Sequence, residues 1–157
     1  MLKKQLKAME WVAHHDRYGQ VRQFDHIHYT NEWIYVTDGF QLYRLPNESD
    51  EVTTTYPGYP VKTLDGFLAQ AEDPEWTPIE FRIHSDAEVK HVPGKSVTRI
   101  GNDYYCTRYL KKAMDIMPQG FTAQANMHKR FRGLFLYHME TGSLAYILPI
   151  RLFDNQQ

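Results

Sequence analysis

Residues 33–45 read Trp33-Ile34-Tyr35-Val36-Thr37-Asp38-Gly39-Phe40-Gln41-Leu42-Tyr43-Arg44-Leu45, and this stretch decides the fold. Trp33 to Thr37 is aromatic and β-branched, as a strand requires, and Asp38-Gly39 supplies a turn in which glycine takes the positive φ. Gln41 to Leu45 reads as the returning strand. Upstream, Phe24 to Thr30 alternates in strand fashion, and Asn31-Glu32 turns it into Trp33. Ahead of these strands, residues 2–15 have helical spacing. Leu2, Leu6, Met9 and Ala13 form one apolar stripe, with Lys3, Lys4, Lys7 and Glu10 off it. Asp16 to Gly19 reads as the turn between helix and strands.

The same order returns at the other end of the chain. Asn102 or Asp103 is a suitable N-cap for a helix running to Met117, where Pro118 stops it. Its stripe is Cys106, Leu110, Ala113 and Met117. Phe121 to Met127, Gly133 to Met139 and Leu144 to Ile150 then read as strands, with Thr141-Gly142 as the turn between the last two. A shift of 104 residues lays the first stripe on the second, Lys4 on Arg108 and Lys7 on Lys111. Recurrence of basic residues at fixed offsets is the mark of a duplicated unit. Residues 46–78 are punctuated by proline and acids, and one short helix over Leu64 to Ala71 is expected there. Ile79, Phe81 and Ile83 alternate as a strand with a partner around Glu88 to Val92. Pro93-Gly94 breaks the chain, and Ser96 to Ile100 is a further strand. The expectation is one α+β domain over residues 1–157, with a first half at 1–45, an acidic connector at 46–96 and a second half at 97–152.

The 157 residues carry 18 Lys+Arg and 19 Asp+Glu, a net charge of -1, which at first argues against a nucleic-acid binder. The total hides a segregation. Residues 1–22 sum to +3, residues 99–132 to +5 and residues 47–88 to -8. Two basic helical segments packed side by side would make one phosphate-attracting surface, although a solvated helix face has the same composition. Hydrophobic residues at 42% and aromatics at 14% exclude a disordered chain. A single cysteine, Cys106, excludes an intrachain disulfide framework and suits a reducing compartment. No apolar run is long enough to span a bilayer, and the first residues lack a secretory h-region, so a cytoplasmic protein is expected.

Two short segments resemble the bacterial DNA polymerase III beta sliding clamp family. Val36-Thr37-Asp38-Gly39-Phe40-Gln41-Leu42 is similar to that family's Ala-Thr-Asp-Gly-His-Arg-Leu turn. Ala145-Tyr146-Ile147-Leu148-Pro149-Ile150-Arg151-Leu152 is similar to its Val-Val-Met-Pro-Met-Arg-Leu ending. The likeness covers residues 1–45 and 97–152. It implies a DNA-clamp-like domain of two pseudo-symmetric halves, each with one helix packed on antiparallel strands, and a non-enzymatic role in DNA replication. It further implies that Lys3, Lys4, Lys7, Arg108, Lys111 and Lys112 face duplex DNA without reading sequence. A partner-peptide groove for replication proteins would comprise Thr37, Gly39, Phe40, Leu42, Ile147, Leu148, Pro149, Ile150 and Leu152. Its two segments meet within one subunit, across a subunit contact, or not at all. The family's subunit has three such domains, so encirclement of DNA by this chain would require a homo-oligomer. A single-domain variant of this kind suits a phage, prophage or plasmid. Phe40-Gln41 stands where the family has His-Arg, and the strand that would precede the first helix is missing.

Other readings compete. The same fold without DNA affinity would be a protein-interaction module. His26 and His28 share one face of a strand, the arrangement a small metal-dependent hydrolase would use, yet no third ligand is evident. Cys106 lies on an apolar stripe and reads as a core residue, not a nucleophile. Asp38 is assigned to turn geometry, with no catalytic role. Lys129, Arg130 and Arg132, with His128, form the best exposed basic loop, and Tyr104, Tyr105, Tyr109, Phe131, Phe135 and Tyr137 are core residues or base-stacking rings. No cofactor, metal site or membrane partner is expected.

Overall fold

The residues described by the computed structural model are 2–15, 24–48, 58–73, 75–83, 89–92 and 95–151. Their elements run α1 (Lys3–His14), β1 (His28–Tyr29), β2 (Trp33–Thr37), β3 (Gln41–Pro46), α2 (Val61–Ala69), β4 (Trp76–Ile79), β5 (Val89–Val92), β6 (Lys95–Ile100), β7 (Asp103–Cys106), α3 (Thr107–Ile116), β8 (Thr122–Asn126), β9 (Leu134–His138) and β10 (Ser143–Ile147). A 3-10 turn, Gln70–Glu72, extends α2. The protein is thus α+β, with every strand pair antiparallel. Among the described residues, no helix is long and apolar enough to cross a membrane.

Seven strands form one sheet in the order β1-β2-β3-β10-β9-β8-β4, and β5-β6-β7 form a second. Side chains alternate across the large sheet with the period of two that extended backbone imposes. Ile34, Val36, Tyr43, Leu45, Leu134, Leu136, Ala145 and Ile147 join the core beneath α1 and α3. Their neighbours Tyr35, Leu42 and Phe135 point to the other face, where Leu64 and Leu68 of α2 and Trp76 cover them. The segment expected to be an acidic insertion therefore supplies a lid for the second sheet face.

The helices form where expected, but their buried stripes are shifted. In α1 the buried residues are Ala8, Met9, Val12 and Ala13, while Leu2 is 76% exposed and Leu6 only half-buried. The second helix begins at Thr107 and not at Asn102 or Asp103. Gly101 (φ +63) and Asn102 make a two-residue hairpin turn, since Ile100 pairs with Asp103. Asp103-Tyr104-Tyr105-Cys106 then alternates as strand β7, and the Asp103 carboxylate, instead of capping a helix, accepts the Phe131 N–H at 2.9 Å. The α3 stripe is Thr107, Leu110, Ala113 and Ile116, with Met117 buried behind it and Cys106 half-buried.

Four further expectations need correction. Only His28–Tyr29 of the Phe24 to Thr30 segment is strand; the Phe24 ring turns instead onto Tyr59, with centroids 5.9 Å apart. The helix over Leu64 to Ala71 starts earlier, at Val61. The strand placed on Ile79, Phe81 and Ile83 lies upstream at Trp76–Ile79, where Trp76 packs edge-on against Phe135. Phe81 and Ile83 pack on the core outside any strand, so their alternation reports burial and not a ladder. Finally, β5 pairs with β6, not with the segment around Ile79. The expected Asp16 to Gly19 turn, Pro93-Gly94 and Leu152 lie outside the described residues.

Gly133 (φ +98) leads into β9 directly beneath Tyr146, whose hydroxyl donates to the Arg132 carbonyl at 2.6 Å. A Cβ at this position would collide with the Tyr146 ring, and the backbone conformation disfavours any side chain. Gly133→Ala is therefore expected to cost about 3 kcal/mol through overpacking and strain. Urea unfolding measures it, with Gly120→Ala (φ +91, open space around the new Cβ) as the control that carries backbone strain alone.

Candidate nucleic-acid interface

Helices α1 and α3 lie antiparallel on one sheet face. The start of α1 meets the end of α3, where Gln5 Nε2 donates to the Ile116 carbonyl (2.6 Å) and Lys4 Nζ sits 3.0 Å from Asp115 Oδ1. At the opposite end, Trp11 of α1 packs edge-on against Tyr109 of α3. The pair is held by its buried side: Met9, Val12, Leu110 and Ile116 are all fully buried, each worth about 1.5–3 kcal/mol, against about 0–1 kcal/mol for the exposed Lys4–Asp115 pair. Away from the core, Lys3, Lys4, Lys7, Arg108 and Lys111 are exposed and Lys112 is half-buried. All six expected basic residues thus lie on the solvent sides of the two paired helices.

Trp11 organises this face. The Arg108 guanidinium lies 5.4 Å and the Lys112 ammonium 5.0 Å from its ring centroid, and His15 stacks on it at 3.9 Å. In the sequence Trp11 and His15 are plain helix residues, and their i, i+4 spacing is the signal for this stack. Lys4, Arg108 and Lys112 are thereby partly engaged within the protein, Arg108 while still exposed, whereas Lys3, Lys7 and Lys111 are exposed cations.

The Thr-Asp-Gly turn is built as its residues imply. Asp38, buried, accepts the Phe40 and Gln41 N–H groups through Oδ1 at 2.8 and 3.0 Å, and its Oδ2 meets Gln41 Nε2 at 3.0 Å and His15 Nε2 at 2.7 Å. Gln41 Oε1 in turn accepts the hydroxyl of Tyr43, whose pKa burial raises well above 10.0. Gly39 takes φ +92. Asp38 therefore ties the end of α1 to the β2–β3 turn.

The two segments of the expected groove meet within one subunit. Strands β3 and β10 pair, with Leu42 opposite Tyr146 and Gln41 opposite Ile147, and Leu148 N–H donates to the Phe40 carbonyl at 2.9 Å. Thr37, Leu42 and Ile147 are buried in the cores, so the side chains left at the surface are Phe40 (53% exposed), Leu148 (39%), Pro149 and Ile150, beside Gly39. Two cavities, of about 860 and 500 Å³, lie elsewhere, one beside Leu2, Leu6, Pro46 and Pro118 and one beside Arg44, Asp65 and Leu144.

His26 and His28 lie with ring centroids 6.0 Å apart, and His28 stacks on Tyr59 at 4.3 Å. Among the described residues, no group of three or more His, Cys, Asp or Glu is arranged to hold a metal ion. The β8–β9 loop carries Lys129, Arg130 and Arg132. Burial raises the pKa of the Asp103 carboxyl beneath it, while the Phe131 N–H and the Arg130 guanidinium pull it down.

No family model matches the chain, and neither a curated protein nor a solved structure matches it.

Burial lowers the pKa of His28 from 6.5, and the neighbouring His26 lowers it further. The unfolded chain therefore takes up this proton first, so stability falls as pH drops from above 6.5 through the lower folded value. His28→Phe keeps a ring on Tyr59 and removes the proton site. Urea unfolding from pH 7.5 down through this window should show a shallower acid limb in the variant than in the parent protein.

Proposed function

We propose that this chain is a non-enzymatic, clamp-like DNA-replication accessory domain that binds duplex DNA through α1 and α3 without reading sequence. The observation that carries this reading is the antiparallel helix pair, whose solvent side holds Lys3, Lys7, Arg108 and Lys111 while its other side is core. Cations arrayed on two rigid helices displace counterions from phosphates, which gives affinity independent of base sequence. Support for two related halves comes from the order of elements. Each outer helix precedes a three-strand meander, β1–β3 or β8–β10, and the meanders join along β3 and β10. At the offset of 104 residues, buried Met9, Val12 and Ala13 correspond to buried Ala113, Ile116 and Met117. In this reading α2 and its acidic surroundings lie on the sheet face away from DNA, where their charge does not oppose the phosphates. Encirclement of DNA would require several copies of the chain.

A second, compatible role is favoured by one contact. Phe40 and Leu148 are exposed side by side at the β3–β10 end, an apolar anchor point for a short peptide from a replication protein.

Duplex affinity should fall steeply with salt, with a slope of log K against log [KCl] of about -3.6, as about 0.9 per neutralised phosphate predicts for four exposed cations. The variant Lys3→Gln/Lys7→Gln/Arg108→Gln/Lys111→Gln should lose at least tenfold in affinity at low salt. Fluorescence anisotropy with a labelled duplex reads both quantities, and equal binding by parent and variant would reject the helix face as the DNA surface.

A further inference from the structure

The β8–β9 loop has features that the helix face does not use. Phe131 is the non-glycine residue with positive φ (+65) among the described residues, and it is held there by the buried Asp103 carboxylate, whose two oxygens both lie within hydrogen-bond reach of its N–H. Strain of this kind persists only where the surroundings fix it, and it concentrates at ligand-binding positions. Its consequence here is visible. The Phe131 ring carries two guanidinium groups, Arg130 at 4.8 Å and Arg151 at 4.6 Å from its centroid, so residues from opposite ends of the hairpin unit converge on one aromatic platform.

The forks of these arginines are available. Arg130 Nε is 3.9 Å from Asp103, and Arg151 makes no ion pair among the described residues. Asn126 Oδ1 accepts the N–H groups of His128 and Lys129, which fixes the loop's entry, and Lys129 Nζ reaches Glu75 only at 3.8 Å. A guanidinium held on an aromatic face is pre-organised for bidentate contact with a phosphate. The Phe131 ring between these guanidinium groups gives the juxtaposition of basic and aromatic groups that suits a single strand.

We infer that the β8–β9 loop and Arg151 form a second phosphate-binding site, distinct from the α1/α3 face, which takes the backbone of a single nucleic-acid strand. The loop is anchored to β7 and Arg151, so the site stands independently of the helix-face reading.

The test is anisotropy of a fluorescein-labelled oligothymidylate titrated with the full chain at several KCl concentrations. Arg130→Gln/Arg151→Gln should weaken binding at least fivefold at low salt and reduce the salt slope by about 1.4, two phosphate contacts at about 0.7 each. Lys129→Gln, which leaves Phe131 untouched, should shift affinity in the same direction and guards against misfolding of the double variant. Arg130→Lys/Arg151→Lys should restore the slope and only part of the affinity. The four-residue helix variant should retain oligothymidylate binding, so a failure of the helix reading remains distinguishable from a failure here. Unchanged affinity and slope in both glutamine variants would overturn the proposal. So would loss of inorganic pyrophosphate or oligoglutamate binding in those variants with oligothymidylate binding intact, which would assign the loop to free phosphate or to an acidic peptide.

Discussion

The pairing of β3 with β10 is the contact on which the rest of the molecule depends. It places Gln41 against Ile147 and Arg44 against Leu144, residues about one hundred positions apart, and so joins the β1–β3 meander to β8–β10 in one sheet. Without that seam neither meander is wide enough to seat two helices, because three strands about 4.8 Å apart span only about 10 Å, roughly one helix diameter. With it, the sheet offers a continuous apolar face to α1 and α3 and a second one to α2. Such long-range pairing must overcome the loop-closure entropy of the chain between its strands, which makes it an expensive contact to form during folding.

The Asp38 network extends the seam's influence to the charged surface. Asp38 fixes the turn that starts β3, and the same carboxylate holds His15, which stacks on Trp11 beneath Arg108 and Lys112. A continuous chain of contacts thereby runs from the sheet's central hairpin to the cationic helix face. The positions of those cations are set by packing and not by their ion pairs, since the exposed Lys4–Asp115 contact contributes little.

Much of this was legible in the sequence, for identifiable reasons. Asp38-Gly39 and Thr141-Gly142 mark turns by backbone chemistry alone, and the strands they separate lie within a residue of expectation, except that β10 stops at Ile147, three residues short of the expected Ile150. The meeting of the two groove segments was not legible, because strand pairing at this separation leaves no local signal. The start of α3 was misread because Asp103 has the side chain of an N-cap, and only the tertiary fold directs that carboxylate to Phe131. The buried stripe of α1 departs from Leu2, Leu6, Met9 and Ala13 because Leu2 and Leu6 line an open cavity with Tyr29, Ile34 and Leu45 and do not pack into the core. The Phe131 platform depends on Arg151, twenty residues distant, and a pattern of neighbours could not reveal it.

Charge then becomes a matter of geometry. The basic excess of residues 1–22 and 99–132 lies partly on paired helices, and the acidic excess of 47–88 includes the helix on the opposite sheet face. Contact of DNA with the α1/α3 side is the central claim. Lysine acetylation footprinting by mass spectrometry, at low salt with and without duplex DNA, tests it directly. Protection of Lys3, Lys7 and Lys111 with undiminished reactivity of Lys62 on α2 is the predicted result. Equal reactivity of the helix lysines in both conditions, or protection confined to Lys62, would contradict it.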